Sequence, residues 1–223
     1  MQAARIALCH AAFVLSGLVL VALAAPRFAL GQLPAMQVKE DSALKPPPGA
    51  QVAIIEFDDL QCPTCAYYNP TLKQAAANYH IPWIRHDFII PYHTWSRGAA
   101  VKARWFDTQN KALGDEYRNE VFANQPDIFN LGALSRFTQQ FAAAHGIKLP
   151  PDMDPQNKFD AAVTADTDLG KRTGVDATPT IFVVATTSKG VTYKQVLDPD
   201  HALNRMIDDA LATTAPVQAH ANK

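Results

Sequence analysis

Residues 52–65 read VAIIEFDDLQCPTC. Six residues, Val52 to Phe57, form a short run rich in branched and apolar side chains, interrupted only by Glu56. Such a run reads as a buried strand. Pro63 then falls at the first turn of a following segment, where a missing N–H does no harm to a helix. A helix is therefore expected from Cys62 to Tyr79, with Pro70 kinking it. The chain has three cysteines, Cys9, Cys62 and Cys65, and two of them occupy this one strand-to-helix turn.

That placement has a chemical meaning. A helix N-terminus presents unpaired N–H groups and the positive end of the macrodipole, which favour negative charge. A cysteine there is held toward its thiolate, the reactive form. Cys65, one turn further on, lies on the same side of the helix and can close a bridge with Cys62. A bridge across so short a loop constrains the unfolded chain little, so stability is a poor reason for it. The pair also resembles half of a zinc site. A second cysteine pair is missing, however, and His80, His86 and His93 spread along a strand rather than at close ligand intervals. A metal-binding or adaptor module remains the rival to a redox site, with no metal ligand assigned.

Outward from the turn, IPWIRHDFII (81–90) reads as a second strand, closed by Pro91. From Ser96 to Lys171 the periods become helical. Ala99, Ala103 and Phe106 make one apolar face, Tyr117 and Val121 another, and Leu134, Phe137 and Phe141 a third. Gly146 is a helix stop. Asp154-Pro155 reads as an N-cap followed by proline at the first helical position, opening a helix that ends before Gly174. TIFVVAT (180–186) and VTYKQVL (191–197), separated by a turn-rich Thr187–Gly190 link, suggest an antiparallel hairpin. Asp198-Pro199-Asp200 opens a last helix with Leu203, Ile207 and Leu211 on one side. The expected architecture is α/β: a mixed central sheet flanked by helices, from residues 51–95 and 172–212, with residues 96–171 as an inserted helical domain and 213–223 as a loose tail.

The whole chain has 223 residues and a formal net charge of −1, which gives no electrostatic reason to expect nucleic acid. It is long enough for a sizeable core. Residues 1–31 stand apart. Arg5 precedes a long apolar stretch, and Ala22-Leu23-Ala24 and Ala29-Leu30-Gly31 offer small-x-small sites, so the segment reads as a secretory signal. An uncleaved membrane anchor is the rival, because the apolar run is nearly long enough to span. Cys9 lies inside it and receives no role. Without these residues the balance is 18 bases against 21 acids, or −3. Residues 32–50, with Pro46-Pro47-Pro48, read as a stiff linker.

Strand, acidic residue, Cys-Pro-Thr-Cys and the later Thr178-Pro179 followed by TIFVV together resemble the DsbA-like family of exported thiol–disulfide oxidoreductases, over about residues 50–212. The resemblance implies a thioredoxin fold with a helical insertion. It implies Cys62 as nucleophile and Cys65 as resolving thiol, with no cofactor beyond their disulfide. Pro179 would be cis, and Thr178 and Pro179 would offer backbone to an extended substrate chain. Pro63 and Thr64 would tune the sulfurs. Glu56 matches the family's buried acid, which can relay protons to or from the resolving thiol. A structural ion-paired acid is the plainer alternative. Asp58 and Asp59 read as solvated loop charges, His93 as structural, and Trp83, Trp95 and Trp105 as packing. The implied setting is the periplasm or another extracytoplasmic space. The implied partners are newly exported, unfolded polypeptides and a membrane quinone-linked thiol oxidase of the DsbB or vitamin-K-epoxide-reductase type, with the protein itself a monomer. A dithiol oxidase is favoured over an isomerase, since residues 32–50 are too few for a dimerisation domain. An exported reductase, for example in cytochrome maturation, stays open because fold alone does not set direction.

Overall fold

A computed structural model describes residues 39, 41 and 43–214. The expected signal or anchor, most of the linker and the tail from residue 215 lie outside the described residues.

Four strands form one sheet in the order β2-β1-β3-β4. β1 (Val52–Asp58) is buried along its whole length, as its apolar run requires of a central strand. It pairs in parallel with β2 (Trp83–Asp87) and antiparallel with β3 (Thr180–Thr187). α1 (Pro63–Tyr79) makes the crossover from β1 to β2 that a parallel pair needs. α1 continues through Pro70 despite the lost amide donor. β3 and β4 (Gly190–Gln195) form the hairpin, with Thr187 paired to Gly190. Four further helices follow the chain order: α2 (Ser96–Gln109), α3 (Lys111–Ala123), α4 (Leu131–Ala144) and α5 (Lys158–Thr173), with α6 (Pro199–Thr213) last. The chain thus has an α/β thioredoxin-type arrangement, a mixed sheet with helices on both faces.

The period-two alternation of β1 sorts its side chains between two cores. Val52 and Ile54 join Ile181 and Val183 against α1 and α6, through Leu72, Leu203 and Ile207. Ile55 and Phe57 join Phe182 and Val184 against Leu169 of α5 and Phe88. A third core holds the apolar faces of α2, α3 and α4, including Phe106, Tyr117, Leu134 and Phe141, and it contains Cys62 and Cys65. The aromatic rings of Phe106, Tyr117 and Phe141 meet at 4.7–5.1 Å between centroids.

Three expectations change. β2 is shorter than residues 81–90. Phe88 still donates to the Asp58 carbonyl, but the Ile89 and Ile90 amides turn to Thr167 Oγ1 and Asp59 Oδ2. Side chains end the ladder once β1 has run out. α5 starts at Lys158 rather than at Pro155, because Asn157 takes a left-handed conformation (φ 53°) just before it. Asp154 still caps this helix, accepting from the amides of Phe159 and Asp160. β4 ends at Gln195, two residues before Leu197, which is exposed.

Candidate active site

β1 delivers Glu56 and Asp58 to the α1 side of the sheet and then stops. The loop Asp59–Gln61 turns the chain into α1. Asp59 organises that turn: its carboxylate accepts from the amides of Gln61 at 2.8 Å and Ile90 at 2.8 Å, and His93 Nδ1 lies 3.0 Å from it. Gln61 in turn accepts from the Trp95 amide. The reading of Asp58 and Asp59 as solvated loop charges is therefore corrected, since each exposes only 1% of its surface. Asp59 is buried because it satisfies backbone donors of two loops. Asp58 is buried because the Arg85 guanidinium pairs with it at 3.2 Å.

Cys62 is the N-cap of α1, with Pro63 next in the helix. Its sulfur accepts from the Cys65 amide at 3.4 Å, taking the place of a capping oxygen. On the other side it lies 3.4 Å from the Thr178 carbonyl. The Thr178–Pro179 peptide is cis and leads directly into β3. Cys62, Pro63 and Thr64 share the wall of a cavity of about 400 Å³ with Thr178, Asp176 and Tyr92. Cys62, buried but for 6% of its surface, borders this opening, whereas Cys65 is fully buried in the helical core. Both cysteines are free thiols.

The two thiols are pushed in opposite directions. The Cys65 thiol donates to the Cys62 sulfur; contacts with Thr178 and the amides of Cys65 and Thr64 add to this. Against the cost of burial they bring Cys62 down to about 6. The largest cause is thus the neighbouring thiol rather than the helix dipole alone. Burial drives Cys65 far above the ordinary thiol range, helped by its donation to Cys62 and by the charges of Glu56 and Asp58. Burial likewise lifts the Glu56 carboxyl to about 8, with Asp58 adding to the rise and Arg85 and Trp83 opposing it. Trp83 Nε1 donates to Glu56 Oε2 at 3.0 Å, so Trp83 does more than pack. No ion pair ties Glu56 down among the described residues, unlike Asp58.

Gln125 was not legible as part of this site. It sits in the short 3-10 turn Gln125–Asp127 after α3. Its Nε2 donates to the carbonyls of Leu60 at 2.8 Å and Cys62 at 3.0 Å. The helical block therefore grips the cysteine loop directly. A lone glutamine 63 residues downstream of Cys62 carries no spacing signal. Among the described residues, no group of three or more His, Cys, Asp or Glu side chains is placed to hold a metal ion. No helix among them is long and apolar enough to cross a membrane.

A family model described as thioredoxin matches residues 47–200. Disulfide bond formation protein D of Bacillus subtilis is 26% identical over 153 residues, which cover 60% of this chain and 64% of that protein. The chain thus matches less than two thirds of its curated relative's length. Among solved structures, oxidised BdbD from Bacillus subtilis aligns with a TM-score of 0.61 at 20% identity, covering 80% of this chain and 98% of that one. The thiol–disulfide exchange protein α-DsbA2 from Wolbachia pipientis aligns at 0.58 and 18% identity, over 74% of this chain and 84% of that one. At such identities the structural likeness speaks for the fold.

Proposed function

The chain belongs to the thioredoxin family, and from that premise we propose that it is an exported thiol–disulfide oxidoreductase acting as a dithiol oxidase. The curated relative is a disulfide bond formation protein, which supports this class of reaction. The observation that carries the reading is the placement of the two sulfurs: Cys62 caps α1 beside the cis Thr178–Pro179 peptide and an open cavity, and Cys65 lies behind it in the core.

In this reading the resting enzyme carries a Cys62–Cys65 disulfide. A substrate thiolate attacks the Cys62 sulfur, and the S–S bond breaks. Cys65 leaves with the electron pair and takes a proton, for which Glu56 is the donor. The second substrate thiolate then attacks the substrate sulfur of the mixed disulfide, and Cys62 leaves as a thiolate. The substrate's two thiols are oxidised to a disulfide, and the enzyme's disulfide is reduced. A low leaving-group pKa at Cys62 favours this direction, because it stabilises the reduced enzyme. Thr178 and Pro179, with Pro63 and Thr64, line the approach to Cys62 and receive an extended, newly exported polypeptide. A membrane thiol oxidase linked to quinone regenerates the disulfide. The site of action is the periplasm or an equivalent extracytoplasmic space, and the working unit is a monomer.

The test is the equilibrium of the two thiols against a glutathione buffer series, together with turnover of a reduced, unfolded substrate. A potential near about −120 mV supports an oxidase, and one near about −270 mV a reductant. A Cys62→Ala chain that turns over substrate as fast as the parent overturns redox catalysis at this site.

A further inference from the structure

Asp58 is the second carboxyl under the redox pair, and the reaction as written leaves it without a task. It stands two residues after Glu56 on one face of β1, so the side chains of both point toward α1. Both expose only 1% of their surface. Their partners differ. Glu56 receives one neutral N–H, from Trp83. Asp58 receives the Arg85 guanidinium, whose other nitrogens are fixed by Asn69 of α1 at 3.1 Å and Asn119 of α3 at 3.4 Å. Arg85 also stacks over the Trp83 ring at 4.4 Å. Asp58 is therefore held beside a cation, against the burial that lifts its carboxyl to about 6, while Glu56 has no ion-pair partner among the described residues.

We propose that Asp58 is a positioning residue whose carboxylate, anchored by Arg85, keeps the proton on Glu56 until Cys65 takes it. The inference rests on the oxidoreductase reading above and assigns one of its steps. Two carboxylates so placed cannot both ionise freely in a buried site. Burial is the first reason that Glu56 stays neutral, and the Asp58 carboxylate, kept ionised above about pH 6 by its pairing with Arg85, adds to it. The charged and titratable groups around the pair are Cys62 and Cys65 of α1, Arg85 and Asp87 of β2, and Arg118 of α3. β3, opposite Glu56 at Ile181, contributes no charge. When Cys65 leaves as a thiolate it adds a negative charge beside the two carboxyls. The Glu56 proton then moves to Cys65, and Glu56 keeps the electron pair of its O–H bond.

The experiment is a titration of the protonated-carboxyl infrared band of Glu56 in the reduced full-length chain. Removing the neighbouring charge in Asp58→Asn shifts the Glu56 midpoint acidward by about one pH unit or more. Asp58→Glu, which keeps the charge, leaves it near the parent. The pH profile of Cys65 release moves in the same directions. A shift in Asp58→Asn that Asp58→Glu lacks separates this role from a merely structural one, since Asp58→Glu disturbs the packing without removing the charge. An Asp58→Asn chain with an unmoved midpoint, or variants that move together, overturns the proposal. If Asp58→Asn does not fold, Asp58→Ser takes its place: an acidward shift of the Glu56 midpoint supports the proposal, and an unmoved midpoint overturns it. The titration needs no turnover. An active Cys62→Ala chain would therefore sink the proposed reaction while leaving the carboxyl result readable.

Discussion

Glu56 is the residue at which stability and chemistry oppose each other. A carboxyl titrating near 8 in the folded chain and at an ordinary 4.5 in the unfolded one binds its proton more tightly when folded. Its contribution is fully present below about 4.5 and is lost as pH rises through about 8. Glu56→Gln removes that loss. The variant should therefore unfold at higher urea than the parent at pH 8–9, by on the order of a few kcal/mol, and equal it near pH 4. It should also release Cys65 more slowly. Equal urea midpoints at pH 9 would mean that Glu56 is not buried as a neutral acid. The cysteine pair, Glu56 and the Thr178-Pro179 bend were legible because each belongs to a local pattern or to a known resemblance. Asp58, Asp59 and Gln125 were not, because their burial depends on Arg85, Ile90 and the cysteine-loop carbonyls, which lie 27, 31 and about 65 residues away.

Among the elements, α5 lies close against the sheet and the segment that follows β2. A Cβ added at Gly170 would lie 2.5 Å from a Phe88 ring carbon and 3.1 Å from Phe57. Those two rings pack edge to face at 6.4 Å between centroids, so neither can step aside alone. Gly170→Ala gains about 1 kcal/mol of helix propensity and incurs about 1–3 kcal/mol of overpacking. The net expectation is a loss, read as a lower urea midpoint with the dependence on urea unchanged; a more stable variant would show that α5 shifts freely on the sheet. Gln125→Ala instead frees two carbonyls without touching the core. With the Leu60 and Cys62 carbonyls left without this donor, it should cost on the order of 1 kcal/mol of stability, read as a lower urea midpoint. The elements themselves were legible where period and punctuation agreed, as for β1, α1 and the β3–β4 hairpin. Their ends were not. β2 stops where Thr167 and Asp59 capture its amides, and α5 is capped by Asp154 reaching over Asn157.

For the molecule as a whole, the two redox states need not be equally stable, and their order reports the direction of electron flow. Folding and disulfide formation close a thermodynamic cycle. Any interaction that favours the folded dithiol therefore lowers the tendency of the folded chain to hold its disulfide. Cys62 supplies such an interaction. Its thiol titrates near 6 when folded, against an ordinary 9. A depressed acid contributes stability that is complete above about 9 and lost as pH falls through about 6. Only the reduced protein has this term. The reduced chain should therefore resist urea better than the oxidised chain at pH 8, and the gap should close as pH falls below 6. Every 30 mV of oxidising power corresponds to about 1.4 kcal/mol of that gap. Unfolding curves of the two forms across pH 5–9 measure it directly. A more stable oxidised form at pH 8 would point to a reductant and overturn the oxidase reading, whatever the substrate.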